Sequence, residues 1–116
     1  MTTKLPDQEL RSVIGQQLIE IADSLRALAL WDEAPPTDKA LSSQMPFCAD
    51  TLKFEQWLQW IFIPRMQMLL DSGGDLPTMS GILPMAEEMM KSVKDPSQLF
   101  RALETIDQLL TGQSKN

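Results

Sequence analysis

"WLQWIFIPRMQMLL", Trp57 to Leu70, places two tryptophans, a phenylalanine and a proline in one nearly all-apolar run, with Arg65 directly after the proline. Laid on a helix at about 100° per residue, Trp57, Leu58, Phe62, Met66, Leu70, Ile63 and Trp60 go round the whole circumference. The polar members Arg65, Gln59 and Gln67 fall between them, isolated from one another, with Gln59 between Met66 and Leu70. A helix without a polar face is buried on most sides. The run therefore reads as the central helix of the fold, with the other helices as its cover. Pro64 lacks an N–H and crowds the carbonyl of Trp60 one turn back, which predicts a bend there. Arg65 is expected to cap carbonyls near the bend, or to pair with Asp50 or Glu55.

Working outward, Leu10, Ile14, Leu18, Ile21, Leu25 and Leu28 follow the three-and-four spacing of one helix face, from Asp7 to about Leu30. The next stretch, "WDEAPPTDKALSSQMPFCA" from Trp31 to Ala49, carries Pro35, Pro36 and Pro46 and shows no periodicity. It reads as a long crossover pinned by Leu41, Met45 and Phe47, which lets the first two long helices run in the same direction or lie on a diagonal. Asp50 or Thr51 is the expected N-cap of the second helix, which closes at Ser72, Gly73 and Gly74.

After a turn over Leu76 to Gly81, a shorter helix from about Ile82 to Lys94 carries Ile82, Met85, Ala86, Met89 and Val93 on one face. Asp95 and Pro96 read as N-cap and first residue of a last helix, with Gln98 at the capping-box position. Its stripe is Leu99, Leu103, Ile106 and Leu110, and it stops at Gly112. No strand-period run and no internal repeat appears. The expectation is an all-α four-helix bundle forming one domain over residues 1–116, with a long proline-containing crossover between helices 1 and 2 and a proline-kinked central helix 2.

Composition narrows the function. The chain of 116 residues is 43% apolar and 22% charged, ordinary for a folded domain. Ten Lys and Arg against sixteen Asp and Glu give a net charge of −6. Affinity for nucleic acid rests on neutralising phosphates, so direct binding to DNA or RNA is disfavoured and a basic protein partner is attracted instead. The single cysteine, Cys48, makes no internal disulfide and lacks metal-ligand spacing, in keeping with a reducing cytoplasm. The N-terminal stretch lacks the pattern of a secretory signal, and the apolar run is shorter than the ~20 residues a membrane span needs.

An enzyme needs a nucleophile, an acid and base pair or a metal site. There is no His and no Tyr, Cys48 sits in an apolar context, and the pairs Asp32 with Glu33 and Glu87 with Glu88 read as solvated surface. Gly73 and Gly74 form a turn that lacks the setting of a phosphate loop. No catalytic residue, metal or cofactor is expected. The chain reads as a non-enzymatic interaction protein.

Four short helices leave each member an outer face, so part of the apolar run is expected in a groove rimmed by the proline loop. The expected partner-binding residues are Pro46, Phe47, Asp50, Phe54, Trp57, Trp60, Pro64 and Arg65. Core packing is the simpler reading of two tryptophans three apart, and both readings hold if one ring faces in and the other lines the groove. A small apolar ligand between the kinked helix and the proline loop is the alternative. The residues leave a homo-oligomer open.

Gln44, Pro46, Phe47, Asp50, Thr51, Phe54, Trp57, Leu58, Gln59, Trp60, Pro64, Arg65 and Met66 stand out within "QMPFCADTLKFEQWLQWIFIPRM". This segment, about a fifth of the chain, resembles the YqcC-like family of small bacterial proteins. The resemblance implies a compact helical bundle, a cytoplasmic location and no assigned activity or catalytic residues. Members encoded beside a tRNA pseudouridine synthase imply an accessory role in tRNA modification, with a basic tRNA-modifying enzyme as partner.

Overall fold

The computed structural model describes residues 6–77 and 81–113. Their regular elements are all helical, with no strand among them: α1 Asp7–Ala27, α2 Asp38–Leu41, a 3-10 turn Pro46–Cys48, α3 Phe54–Trp57, a π-turn Leu58–Phe62, α4 Ile63–Ser72, α5 Ile82–Met89 and α6 Ser97–Gln113. The expected turn over residues 76–81 lies partly outside the described residues, as does the reading of the N-terminal stretch. No helix among the described residues is long and apolar enough to cross a membrane.

One apolar cluster holds the fold. Its members on α1 are Leu10, Ile14, Leu18, Ile21 and Leu25, and on α6 Leu99, Ala102, Leu103, Ile106 and Leu110. The spacing predicts these stripes except for Ala102, and it adds Leu28, which is the half-buried C-cap of α1 rather than part of the helix. α1 and α6 make the most extensive contact among the described residues. They run antiparallel, since Gln98 near the start of α6 donates to Glu20 and the end of α1 meets residues 95–99. α4 packs on α1 and α5 on α6. The inner pair is therefore α1 and α6, and the apolar run flanks it. That corrects the expectation of a central second helix.

The run's polar face was hidden by its winding. Residues 54–72 are continuously helical, but Ile63 donates its N–H to Leu58, five residues back, and so closes a π-turn. Phe54, Leu58, Phe62 and Met66 are buried and Leu70 packs against the same cluster, a strict spacing of four. In an α-helix of 3.6 residues per turn each such step over-rotates by about 40°, so the stripe drifts by about 160° over its length. The wider π-turn takes part of this drift back and keeps the stripe on the core. Pro64 lies inside this continuous helix directly after the π-turn, whose shifted hydrogen-bond pattern accommodates the missing N–H.

The long connection does not carry the chain across the bundle. α1 and the run are antiparallel neighbours, because Arg11 near the start of α1 reaches Leu69 and Gly74 while Asp32 beyond its end meets Gln59. The connection also holds α2, whose Thr37 hydroxyl accepts from the Ala40 N–H. The run is not capped by Asp50 or Thr51. Lys53 is the N-cap, and Gln56 Oε1 accepts from its N–H at 2.9 Å. Thr51 instead donates to the Ala40 carbonyl. Likewise Gln98 bonds Glu20 rather than closing a capping box, and α6 begins at Ser97 after Pro96.

Arg11 terminates α4 from outside. Its guanidinium donates to the carbonyls of Leu69 at 3.0 Å and Gly74 at 2.6 Å, while Asp7 holds its Nε at 2.9 Å. Gly73, with φ 72°, turns the chain so that the Gly74 N–H also reaches Leu69. The Leu69 carbonyl already accepts the N–H groups of Gly73 and Gly74, so the forked guanidinium adds a further donor there and satisfies the Gly74 carbonyl as well. Arg11→Ala is expected to lower stability by about 1.5 kcal/mol, read from urea unfolding, and Arg11→Lys to recover less than half of that.

Candidate functional site

Of the residues expected to bind a partner, the fold gathers three into one aromatic cluster. Phe47 lies edge-on to Trp57 with ring centroids 4.8 Å apart and 5.7 Å from Phe54. Trp57 stacks between Phe54 at 5.6 Å and Phe62 at 5.4 Å. Phe47 reaches this position through a tight turn in which it and Cys48 both take left-handed backbone angles, φ 57° and 50°. Such pairs contribute about 0.5–1.5 kcal/mol each beyond area burial. Phe54 is fully buried in the core and Phe47 and Trp57 pack against it, so the cluster is an extension of the core. Pro46 is exposed at the turn, and Asp50 is exposed and accepts from the Ser43 hydroxyl.

The other three lie along the outside of the run. Because the buried stripe falls on residues 58, 62 and 66, the positions two further on, Trp60, Pro64 and Met68, form a stripe on the opposite side. Met68 is 62% exposed, the most exposed large apolar side chain among the described residues. Trp60 is half-buried but stands apart from the core cluster, and its indole N–H is occluded with no partner among the described residues. Of the two tryptophans, Trp57 is therefore the core residue and Trp60 the surface one. Arg65 is exposed and makes no ion pair with Asp50 or Glu55.

Beside this stripe an open groove of about 540 Å³ is lined by Pro64, Gln67, Met68, Asp71 and Ser72. The described hollow between the loop and the run is about 150 Å³ and lined largely by polar residues, among them Asp32, Lys53, Glu55 and Gln56. Among the described residues no group of three or more Cys, Asp or Glu stands in position to hold a metal ion. Cys48 is buried as a free thiol.

Four structural polar residues, Gln59, Gln56, Asp107 and Arg11, were given no role by the spacing of apolar residues. Gln59 is 5% exposed and clasps the backbone of Asp32, accepting from its N–H at 2.8 Å and donating to its carbonyl at 2.9 Å. Gln56 donates to the Asp32 carboxylate at 3.1 Å. The signal for Gln59 was its place between Met66 and Leu70 on the wheel. Asp107 and Arg11, each acting on a distant helix end, carry no local signal at all.

The DUF446 family, described as tRNA pseudouridine synthase C, matches residues 13–109. An uncharacterised protein of Haemophilus influenzae is 41% identical over 100 residues, covering 86% of this chain and 94% of that one. The uncharacterised protein YqcC of Escherichia coli K12 is 34% identical over 80% of this chain and 86% of its own length. The solution NMR structure of YqcC superposes with a TM-score of 0.76 at 29% identity, covering 87% of each chain. A tRNA pseudouridine synthase C of Pectobacterium carotovorum shares 47% identity over 64 residues, 55% of this chain but 17% of that protein. Matched by the family across residues 13–109 and by YqcC in both sequence and fold, this chain belongs to the DUF446 family of YqcC-like proteins.

Proposed function

We propose that the protein is a non-catalytic accessory partner of a tRNA pseudouridine synthase, docking through the outer side of its apolar run. The observation that carries this reading is the Pectobacterium synthase, in which 64 residues, 17% of its length, resemble 55% of this chain. A segment covalently joined to an enzyme works at high effective concentration, and a separate chain needs an interface to replace the tether. A synthase that handles tRNA presents Lys and Arg to phosphates. The charge of −6 on this chain complements such a surface and steers association.

Trp60 is the anchor this reading selects, because an aromatic side chain off the core contributes to binding without holding the fold. The test is a titration of the purified chain against the tRNA pseudouridine synthase C of the same cell, both treated with nuclease. Trp60→Ala is expected to weaken binding about 30-fold, or ~2 kcal/mol, with unchanged helicity. Wild-type protein that fails to bind the synthase at tens of micromolar would sink the proposal.

A further inference from the structure

We infer that the groove on the outer face of α4 receives one segment of a tRNA-binding synthase, in which an apolar side chain is flanked by a lysine or arginine. This rests on the functional reading above and specifies its interface.

The groove is shallow, with all its lining residues on α4, and the winding of the helix decides which side chains line it. The π-turn at Leu58–Phe62 resets the winding of the helix just before Pro64, so that α4 keeps Met66 in the core while Pro64, Gln67, Met68 and Asp71 face outward. π-turns carry an unfavourable winding and recur where a helix presents a site. Here the turn extends an apolar stripe from Trp60 through Pro64 to Met68, with the half-buried Ile61 beside it. An unbranched thioether exposed to 62% is suited to varied partner side chains.

The rims decide the occupant. Asp71 stands on one side, with one carboxylate oxygen held by Gln67 at 3.0 Å and the other without a bond among the described residues. At about 100° per residue Arg65 falls on the flank of α4 opposite Gln67 and Asp71, outside the lining residues, exposed and unpaired among the described residues. Asp75 is exposed just beyond the end of α4. A segment that lays an apolar residue on Pro64 and Met68 meets this carboxylate edge with a basic residue, the type that a tRNA-binding protein carries in excess. Arg65 fixes its direction, because the basic residue is repelled from that flank.

The experiment measures the affinity of wild type, Met68→Glu, Met68→Ser and Asp71→Lys for the synthase at low and moderate salt, with helicity checked for each. Met68→Glu is expected to weaken binding at least tenfold and Met68→Ser about threefold. Asp71→Lys is expected to weaken it about fivefold and to flatten its salt dependence. If wild type binds and all three variants stay within twofold of it, this groove is not the interface while the functional reading stands. If wild type itself does not bind, the functional reading falls and takes this inference with it. A wild-type dimer in sedimentation that Met68→Glu dissociates would assign the face to a second copy of the chain and overturn the inference.

Discussion

Replacing Asp107 by alanine is expected to lower the stability of the fold by about 3 kcal/mol, the larger part of it through α5. The Asp107 carboxylate, on α6, accepts the N–H groups of Gly81 and Ile82 on one oxygen, each at 3.1 Å, and that of Leu83 on the other at 2.8 Å. These are first-turn donors that α5 cannot satisfy within itself. α5 has no side-chain cap of its own, since its N-cap is Gly81 with φ 126°. An eight-residue helix is too short to stand alone in water, so its attachment comes from this carboxylate and from Ile82, Ala86 and Met90 packing on the core.

Each charge-assisted bond is worth about 1.5–3 kcal/mol, and partial hydration of the site keeps the total well below their sum. Urea unfolding with Asp107→Ala beside Asp107→Asn separates the contributions. The asparagine retains one acceptor without the charge and is expected to lose about half as much. Part of that loss comes from the positive end of the helix and is expected to shrink in high salt. An alanine variant within about 0.5 kcal/mol of wild type, the size usual for a surface change, would show that packing alone holds α5.

The stripes of α1 and α6 were legible because both helices are regular. Leu10, Ile14, Leu18, Ile21 and Leu25, and Leu99, Leu103, Ile106 and Leu110, all lie at 2% exposure or less. The run was misread because a helical wheel assumes one winding throughout, and its drift through Leu58–Phe62 scattered a single buried stripe round the circle. Once the π-turn is known, the same residues divide into a buried side led by Leu58, Phe62 and Met66 and an outer side led by Trp60, Pro64 and Met68. α5 shows a smaller slip: it ends at Met89, which is 37% exposed, and the buried methionine is Met90.

The candidate site followed the same division. Of the residues expected at a partner surface, Phe54 and Trp57 turn inward through ring contacts with Phe47 and Phe62, as the simpler core reading of the tryptophans allowed, while Trp60, Pro64 and Arg65 stay off the core cluster. Nothing local to Asp107 announces that it caps a helix whose start lies 26 positions earlier. Long-range polar contacts of this kind depend on the packing of whole helices and have no period to read.

Gln59→Ala is also expected to cost about 3 kcal/mol, by a different route. The side-chain amide pairs with both backbone groups of Asp32 as a neighbouring strand would, and so fixes the connection just after α1 against the run. Alanine removes two bonds and leaves the Asp32 N–H and carbonyl to find water at a part-buried position. Gln59→Leu fills the space better but leaves the same two groups unpaired, so it is expected to recover little. Gln59→Glu separates the two bonds, because a carboxylate still accepts from the Asp32 N–H but cannot donate to its carbonyl. This variant is therefore expected to be destabilised by more than Gln59→Ala at pH 7 and to regain stability below about pH 5, where a protonated carboxyl supplies the missing donor. Thermal melts of the three variants at about pH 7 and about pH 4.5, each referred to wild type at the same pH, decide it. If Gln59→Glu shows the same deficit at both pH values, the donor to the Asp32 carbonyl contributes nothing, and the connection is held by Trp31 packing on the core with Arg26 over its ring at 4.2 Å.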